Sequence, residues 1–337
     1  MTALLTPGWR TGHPRLGERS PSRHVPHVGR RTKVSRKLRA PAAIAAAGLL
    51  ATVLAVATQP ARADDLVTHH EFQANCSVTA HRPDDPIVSP GLPGASHMHT
   101  FLGNNSTIAS STNESLKAGQ TNCRTPDDKS AYWFPSVYNG DQLIVPDFPQ
   151  VIYYKSGILK YQEVRSFPAG IRFVVGSPTA TQDQFRTAPG AVEGWECGNS
   201  SHNWDFPSYC PPGSQLNIRD QAPSCWNGRD LDSADHKSHM AYPDRATLVC
   251  PATHPVPVPM LEFKIAFPVS GDMSRVRLSS GRGYTWHYDF MNAWDGPTLQ
   301  ALVSHCVNGG LQCDPRGYDQ YKPDRGAALG PDYRLPR

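Results

Sequence analysis

"GYTWHYDF", residues 283–290, is the stretch on which the fold class turns. Its aromatic residues and threonine suit a pleated, half-buried surface, and glycine and proline bound it on either side. On a strand, successive side chains point to opposite faces, so His287 and Asp289 would share one face. Working outward, "MLEFKIAFPV" (260–269) and "GIRFVVG" (170–176) have the same β-branched and aromatic character. "QVIYYKSGILKYQEV" (150–164) reads as two short strands joined at Ser156-Gly157, a hairpin. Only "DGPTLQALVSHCV" (295–307) reads as a helix, with Asp295 as cap, Pro297 in the first turn, and Leu299, Leu302, Val303 and Cys306 on one face. The Ser/Thr/Asn-rich "NNSTIASSTNES" (104–115) reads as a surface loop. The expected fold is mainly β: an antiparallel two-sheet sandwich or jelly-roll-like domain with long loops, disulfides and one C-terminal helix. Without regular helix alternation, a parallel α/β sheet is not expected.

Residues 1–63 hold eleven Lys or Arg and one acid, Glu18. They include "PAAIAAAGLLATVLAVA" (41–57), short for a membrane span, and end in "ARA" (61–63). This pattern predicts an export signal over 1–63, cut before Asp64. Arg30-Arg31 lacks the apolar pair of a twin-arginine signal, so the general secretory route is expected. Without the leader, 22 basic and 28 acidic residues remain, a formal net charge of −6. Such a balance argues against a nucleic-acid partner. No second apolar span follows, so the predicted product is a secreted, extracellular monomer free of the membrane. It should comprise a single disulfide-stapled β-rich domain over 64–313 and a polar tail over 314–337. Five Asn-x-Ser/Thr sequons occur, at Asn75, Asn104, Asn105, Asn113 and Asn199.

All eight cysteines lie beyond the leader, and no C-x-x-C occurs. An even count in an exported chain points to disulfides. Short loops close at least entropic cost, so sequential pairing is expected: Cys76 with Cys123, Cys197 with Cys210, Cys225 with Cys250, Cys306 with Cys313.

"GASHMHTFLG" (94–103) carries the first candidate site residues, because strand period turns His97 and His99 to one face. A second pair, His236 and His239, would share a side in a helical turn. With His287, Asp289 and Lys129 they form the expected cleft, its imidazoles within roughly 10 to 12 Å, the scale of a small-molecule site. Such a group supplies acid, base and charge-neutralising functions, or a nitrogen-rich shell for a divalent metal led by His97 and His99. Tyr132, Trp133, Trp226, Arg229, Asp230 and Tyr242 are residue types that stack on sugars or hydrogen-bond their hydroxyls.

"DPIVSPGLPGASHMHTFLGN", "TPDDKSAYWFPSVY", "FPAGIRFVVG", "PSCWNGRDLD", "HKSHMAYP", "CPATHPVPVPMLEF" and "WHYDFMNAWD" together resemble the secreted bacterial and fungal family catalogued as domain of unknown function nineteen-ninety-six. The likeness runs from Phe72 to Cys306. It implies an extracellular β-rich domain, in fungi often attached to modules assigned to carbohydrate binding, with His97, His99, His236, His239 and His287 at its centre. His97-Met98-His99 stands where some relatives have a longer histidine run.

Three function classes follow. One is a hydrolase or lyase acting on extracellular or cell-wall polysaccharide. It would use Asp230 and Asp289 as acid and base, or His236 or His239 with Tyr242 to abstract a proton beside a uronate carboxylate neutralised by Lys129 or Arg229. The second is a non-catalytic glycan or envelope module presenting Trp133, Trp226 and Trp294. The third is a metal-binding secreted protein.

Overall fold

Met260–Phe267 is the eight-residue strand around which the larger sheet is built. Leu261, Phe263, Ile265 and Phe267 alternate onto one face and are fully buried, while Lys264 on the other face is exposed. The computed structural model describes residues 70–198 and 201–335. The predicted leader, its apolar run and the Asn199 sequon lie outside the described residues.

The larger sheet runs Gln312–Cys313, Glu71–Cys76, Gln150–Lys155, Met260–Phe267, Leu216–Gln221, Gly194–Glu196. Only the Gln312–Cys313 pairing is parallel. The smaller sheet runs Val78–Arg82, His99–Gly103, Ala131–Pro135, His287–Met291, Arg172–Gly176 and is antiparallel throughout. The inner faces pack as a sandwich. Phe263 stacks on Tyr288 with ring centroids 3.9 Å apart and meets Tyr132 edge-on at 6.0 Å, and Phe134 meets Phe267 at 5.9 Å. Each fully buried aromatic of this kind contributes roughly 1.5–3 kcal/mol through area removed from water.

The β-rich two-sheet expectation holds, and the C-terminal helix forms as Gly296–Leu302. The Asp295 carboxylate accepts the Thr298 amide at 2.9 Å, and Leu299 and Leu302 are buried. A π-turn, Val303–Val307, continues it. Two six-residue helices, Asn113–Ala118 and Gln182–Thr187, open on capping boxes at Thr112 and Thr181 and carry one buried side chain each, too little apolar periodicity to be read from sequence. The eight cysteines form the four sequential disulfides.

The hairpin expected over 150–164 does not form. Both edges of Gln150–Lys155 are taken, by Glu71–Cys76 and Met260–Phe267, so Gly157 (φ +62°) turns the chain away into a 3-10 turn at Tyr161–Glu163. Nor is 104–115 simply a surface loop. Asn104 is fully buried, its amide donating to the Leu116 and Lys129 carbonyls, and Thr107, Ala109 and Ser111 are buried with it. The segment after Cys313 packs back on the sandwich: Thr125 donates to the Pro315 carbonyl at 2.7 Å and Leu329 is buried. All described residues belong to one compact unit, and among them no helix is long and apolar enough to cross a membrane.

One buried polar network ties the sheets together. The Asp128 carboxylate accepts the Tyr132 hydroxyl at 2.7 Å, Tyr132 and Tyr154 hydroxyls meet at 2.6 Å, and the Trp294 indole donates to Tyr154 at 2.9 Å. Burial raises Asp128 from 3.8 to about 7, against the hydrogen bonds from Tyr132 and Ser130. Between these values the unfolded chain has lost the proton while the folded chain keeps it, so this group's contribution to stability falls as pH rises from about 4 to about 7. Urea unfolding should therefore show Asp128→Asn gaining stability relative to the parent from pH 4 to pH 8. A difference that stays flat with pH contradicts a protonated Asp128.

Candidate functional site

Strand period puts the chemistry on the outer face of the smaller sheet. In His287–Met291, Tyr288 and Phe290 face the sandwich core, so His287 and Asp289 face outward. His287 pairs with Gly176, and Asp289 pairs with Val174 and Trp133. In His99–Gly103, His99 pairs with Pro135 and Phe101 with Trp133. This face is not open to water. Ile87 and Leu116 cover it, packing with Phe101, Trp133, Val174 and Met291 in a second apolar cluster.

His97 lies outside the strand, in the covering loop. The Met98 carbonyl accepts the Ser136 amide and the Ser279 hydroxyl, and the His97 ring is placed 4.3 Å from that of His99 and 5.0 Å from that of His287. The His99 Nδ1 lies 2.9 Å from the Asp84 carbonyl, and the His287 Nδ1 lies 2.9 Å from the Thr285 carbonyl. A carbonyl oxygen only accepts, so both Nδ1 atoms carry the proton and both Nε2 atoms keep a lone pair, that of His99 unpartnered and that of His287 accepting from His97 Nε2. This orientation by outer hydrogen bonds is the arrangement found at metal-ligating histidines. The His97 and His287 Nε2 atoms are 3.1 Å apart, close to the about 3.4 Å between two ligands of a tetrahedral zinc.

Ligand atoms of His97, His99 and His287 lie within 4.8 Å of one another, as do those of Asp85, His99 and Asp289. The two sets share His99. Its Nε2 and both carboxylate oxygens of Asp289 are buried without a hydrogen-bond partner. Asp85 accepts the Ile87 and Val88 amides at 2.9 and 2.8 Å. A third group, Cys76, Cys123 and Asp128, is a disulfide beside an acid, so its sulfurs are not available as thiolate ligands.

Burial sets the charge of the site. It takes His287 down to about 3, helped by His97, and holds His99 well below the usual imidazole value, helped by His287 and His97. Burial also lowers His97. The same desolvation pushes Asp289 well above the carboxylate range, reinforced by Asp85 and opposed by Lys237. At neutral pH the histidines are therefore neutral. Three imidazole nitrogens beside carboxylates form a donor set suited to zinc or another divalent transition metal, rather than to the oxygen-seeking calcium or magnesium.

The remaining expected residues lie in several places. His236 stands at the rim near Asp85, its Nδ1 2.8 Å from Asp232 and its carbonyl accepting the Val174 amide. His239 is buried, with Nδ1 at 2.9 Å from the Ser233 hydroxyl and outside both ligand sets. The helical turn expected to align them is absent, because His236 adopts φ +58°. Lys129 donates to the Lys117 carbonyl, beyond the opposite end of Ala131–Pro135 from the residue that pairs with His99. Tyr132 and Trp133 are fully buried and Trp294 is 2% exposed, so Trp133 and Trp294 offer no ring face to a glycan. Trp226, Arg229 and Asp230 secure their own turn, with the indole donating to the Asp230 carbonyl and Arg229 pairing with the Asp230 carboxylate at 3.1 Å. Tyr242 donates to the Gln221 carbonyl. Asp85 and Lys237 were missed in the sequence. Asp85 is the second acid of "RPDDP", and Lys237 stands between the two histidines of "DHKSH".

The chain belongs to the family described as a domain of unknown function (DUF1996), whose model matches residues 85–294, more than half of the 337-residue chain. That span begins at Asp85 and encloses the histidine and carboxylate sets. No curated protein and no solved structure matches the chain.

Gly176 has φ +79°, and a Cβ there would sit 2.5 Å from the Trp286 carbonyl oxygen and 2.9 Å from the His287 Cα. Gly176→Ala should therefore cost about 1–3 kcal/mol in equilibrium urea unfolding, because the left-handed backbone and the clash both oppose it. An unchanged midpoint would mean that the strand end carrying His287 yields freely.

Proposed function

We propose that this chain is an exported protein that binds one divalent transition-metal ion at His97, His99 and His287, with Asp289 and Asp85 alongside. It uses that centre for hydrolysis or elimination on extracellular or cell-wall polysaccharide. The observation carrying the metal assignment is the buried, unpartnered trio of His99 Nε2 and the two Asp289 carboxylate oxygens next to the facing Nε2 atoms of His97 and His287. Leaving such atoms unmet costs about 1–3 kcal/mol each, more for a charged group, and a cation among them removes that penalty. Export is supported by the basic and apolar leader and by four disulfides.

A divalent ion held by His97, His99 and His287 would supply Lewis acidity, lowering the pKa of a water or polarising a carbonyl. His99 and His287 would hold the ion through orientations fixed by the Asp84 and Thr285 carbonyls. The Asp85 and Asp289 carboxyls, both pushed toward their protonated forms by burial, are the nearby groups able to hold or give up a proton. His97, only partly buried, marks the side open to solvent.

Chelator-treated protein titrated with zinc, cobalt or copper should take up one equivalent, read by elemental analysis and calorimetry. It should gain about 2.7 kcal/mol of stability at a hundredfold excess over Kd. Asp289→Asn should leave metal-free stability unchanged or raise it, since the carboxamide is equally unpartnered but cannot ionise, and it should weaken metal-dependent stabilisation. A parent that takes up no metal sinks the reading. Catalysis is tested separately with metal-loaded protein on mixed wall polysaccharides, following unsaturated-uronate absorbance for elimination and reducing ends for hydrolysis. Absence of both products removes the enzymatic half and leaves a metal-binding protein.

A further inference from the structure

Two cations flank the histidine centre, and neither belongs to its ligand sets. Arg82 pairs directly with His99 across neighbouring strands, so both side chains leave the same face of the sheet, with the backbones about 5 Å apart. It is exposed, and its guanidinium has no hydrogen bond or ion pair among the described residues. On the other side His287 pairs with Gly176, and the Lys237 amine donates to the Gly176 carbonyl. That contact fixes an exposed lysine over the strand end, where its charge acts on both His287 and Asp289. With the Asp289–Trp133 register carried two residues further, one transverse row of the sheet reads Arg82, His99, Pro135, His287, Gly176, with Lys237 anchored at the far end.

Lys237 has Asp289 and Asp235 near it, whereas Arg82 has no carboxylate partner among the described residues, so positive charge beside a site suited to a dication is left for an anion to meet. Lys129 and Arg229, the cations assigned by sequence to neutralising a substrate carboxylate, lie elsewhere, on the Lys117 carbonyl and on Asp230. The geometry points to a ligand carrying more than one oxyanion, an oligouronate or an oligophosphate, laid across the mouth of the histidine centre so that Arg82 meets one anionic group and Lys237, four strand spacings or roughly 19 Å of backbone away, meets another. The two cations offer complementary recognition: guanidinium presents a planar fork to two oxygens, and ammonium supplies a compact point charge. This inference rests on the proposed metal centre for its third positive group, but the two cations are present in the chain itself.

Calorimetric titration of the metal-loaded full chain with a linear inorganic polyphosphate, a galacturonate oligomer and a neutral galactose oligomer tests it. The parent should bind at least one of the two anions, more weakly as salt rises, and not the neutral sugar. Arg82→Gln and Lys237→Gln should each weaken anion binding about tenfold or more, the loss expected for one charge-assisted hydrogen bond, while metal uptake stays at one equivalent. A response to polyphosphate alone assigns an oligophosphate, and a response to galacturonate alone assigns an oligouronate. Failure of the parent to bind either anion, or equal binding by parent and double variant, overturns the inference. If the parent takes up no metal, the same titrations on the metal-free chain decide the anion site by itself: loss in the variants supports it, and equality overturns it.

Discussion

The strand pair Ala131–Pro135 and His287–Met291, at the middle of the smaller sheet, is buried on both faces, and this double burial governs the rest. Tyr132, Phe134, Tyr288 and Phe290 fill the gap to the larger sheet. Trp133 and Met291 then face outward with His287 and Asp289, and large apolar rings cannot be left in water without cost. A second layer over the smaller sheet follows, formed by the 83–98 loop and the Asn113–Ala118 helix. The same cover that dries Phe101 and Trp133 also dries His99 and Asp289. The chemistry of the site is thus a by-product of packing: the charged forms of His99 and Asp289 are disfavoured because the apolar cluster beside them had to be roofed.

How much of this was legible depended on the range of the contact involved. The face shared by His287 and Asp289 followed from period two, a property of the strand alone. The Asp295 cap, the helix after it and the four disulfides were equally local, closing loops of 7 to 47 residues. The supposed hairpin at Ser156-Gly157 failed because the partners of Gln150–Lys155 lie far away in the chain, and nothing in residues 150–164 records that both its edges are occupied. Tyr132 and Trp133 looked like sugar-stacking residues for a related reason: an aromatic run reads the same whether it lines a cleft or fills two cores.

At the site itself, the sequence supplied the histidines but not their company. His97, His99 and His287 meet across 190 residues of chain, and Asp85 joins them from a loop whose course is set by Asp84 and by packing under Ile87. His236 and His239, alike in spacing, diverge, because the left-handed turn at His236 sends one ring toward Asp232 and leaves the other to Ser233.

Asp84 gives the centre an unusual kind of insulation. Its main-chain carbonyl orients His99, while its two carboxylate oxygens accept the amides of Gly94 and Ala109, one in the covering loop and one in the segment that follows the strand. The stretch between, from Val88 to Leu92, carries exposed Val88 and Leu92 and turns at Gly91, whose φ of +73° favours glycine although an added Cβ would meet nothing. Change there is therefore anchored at both ends before it reaches the histidines. This part of the molecule is the one an evolving lineage, or a protein engineer, can lengthen, shorten or decorate to reshape what approaches the centre without retuning the centre itself.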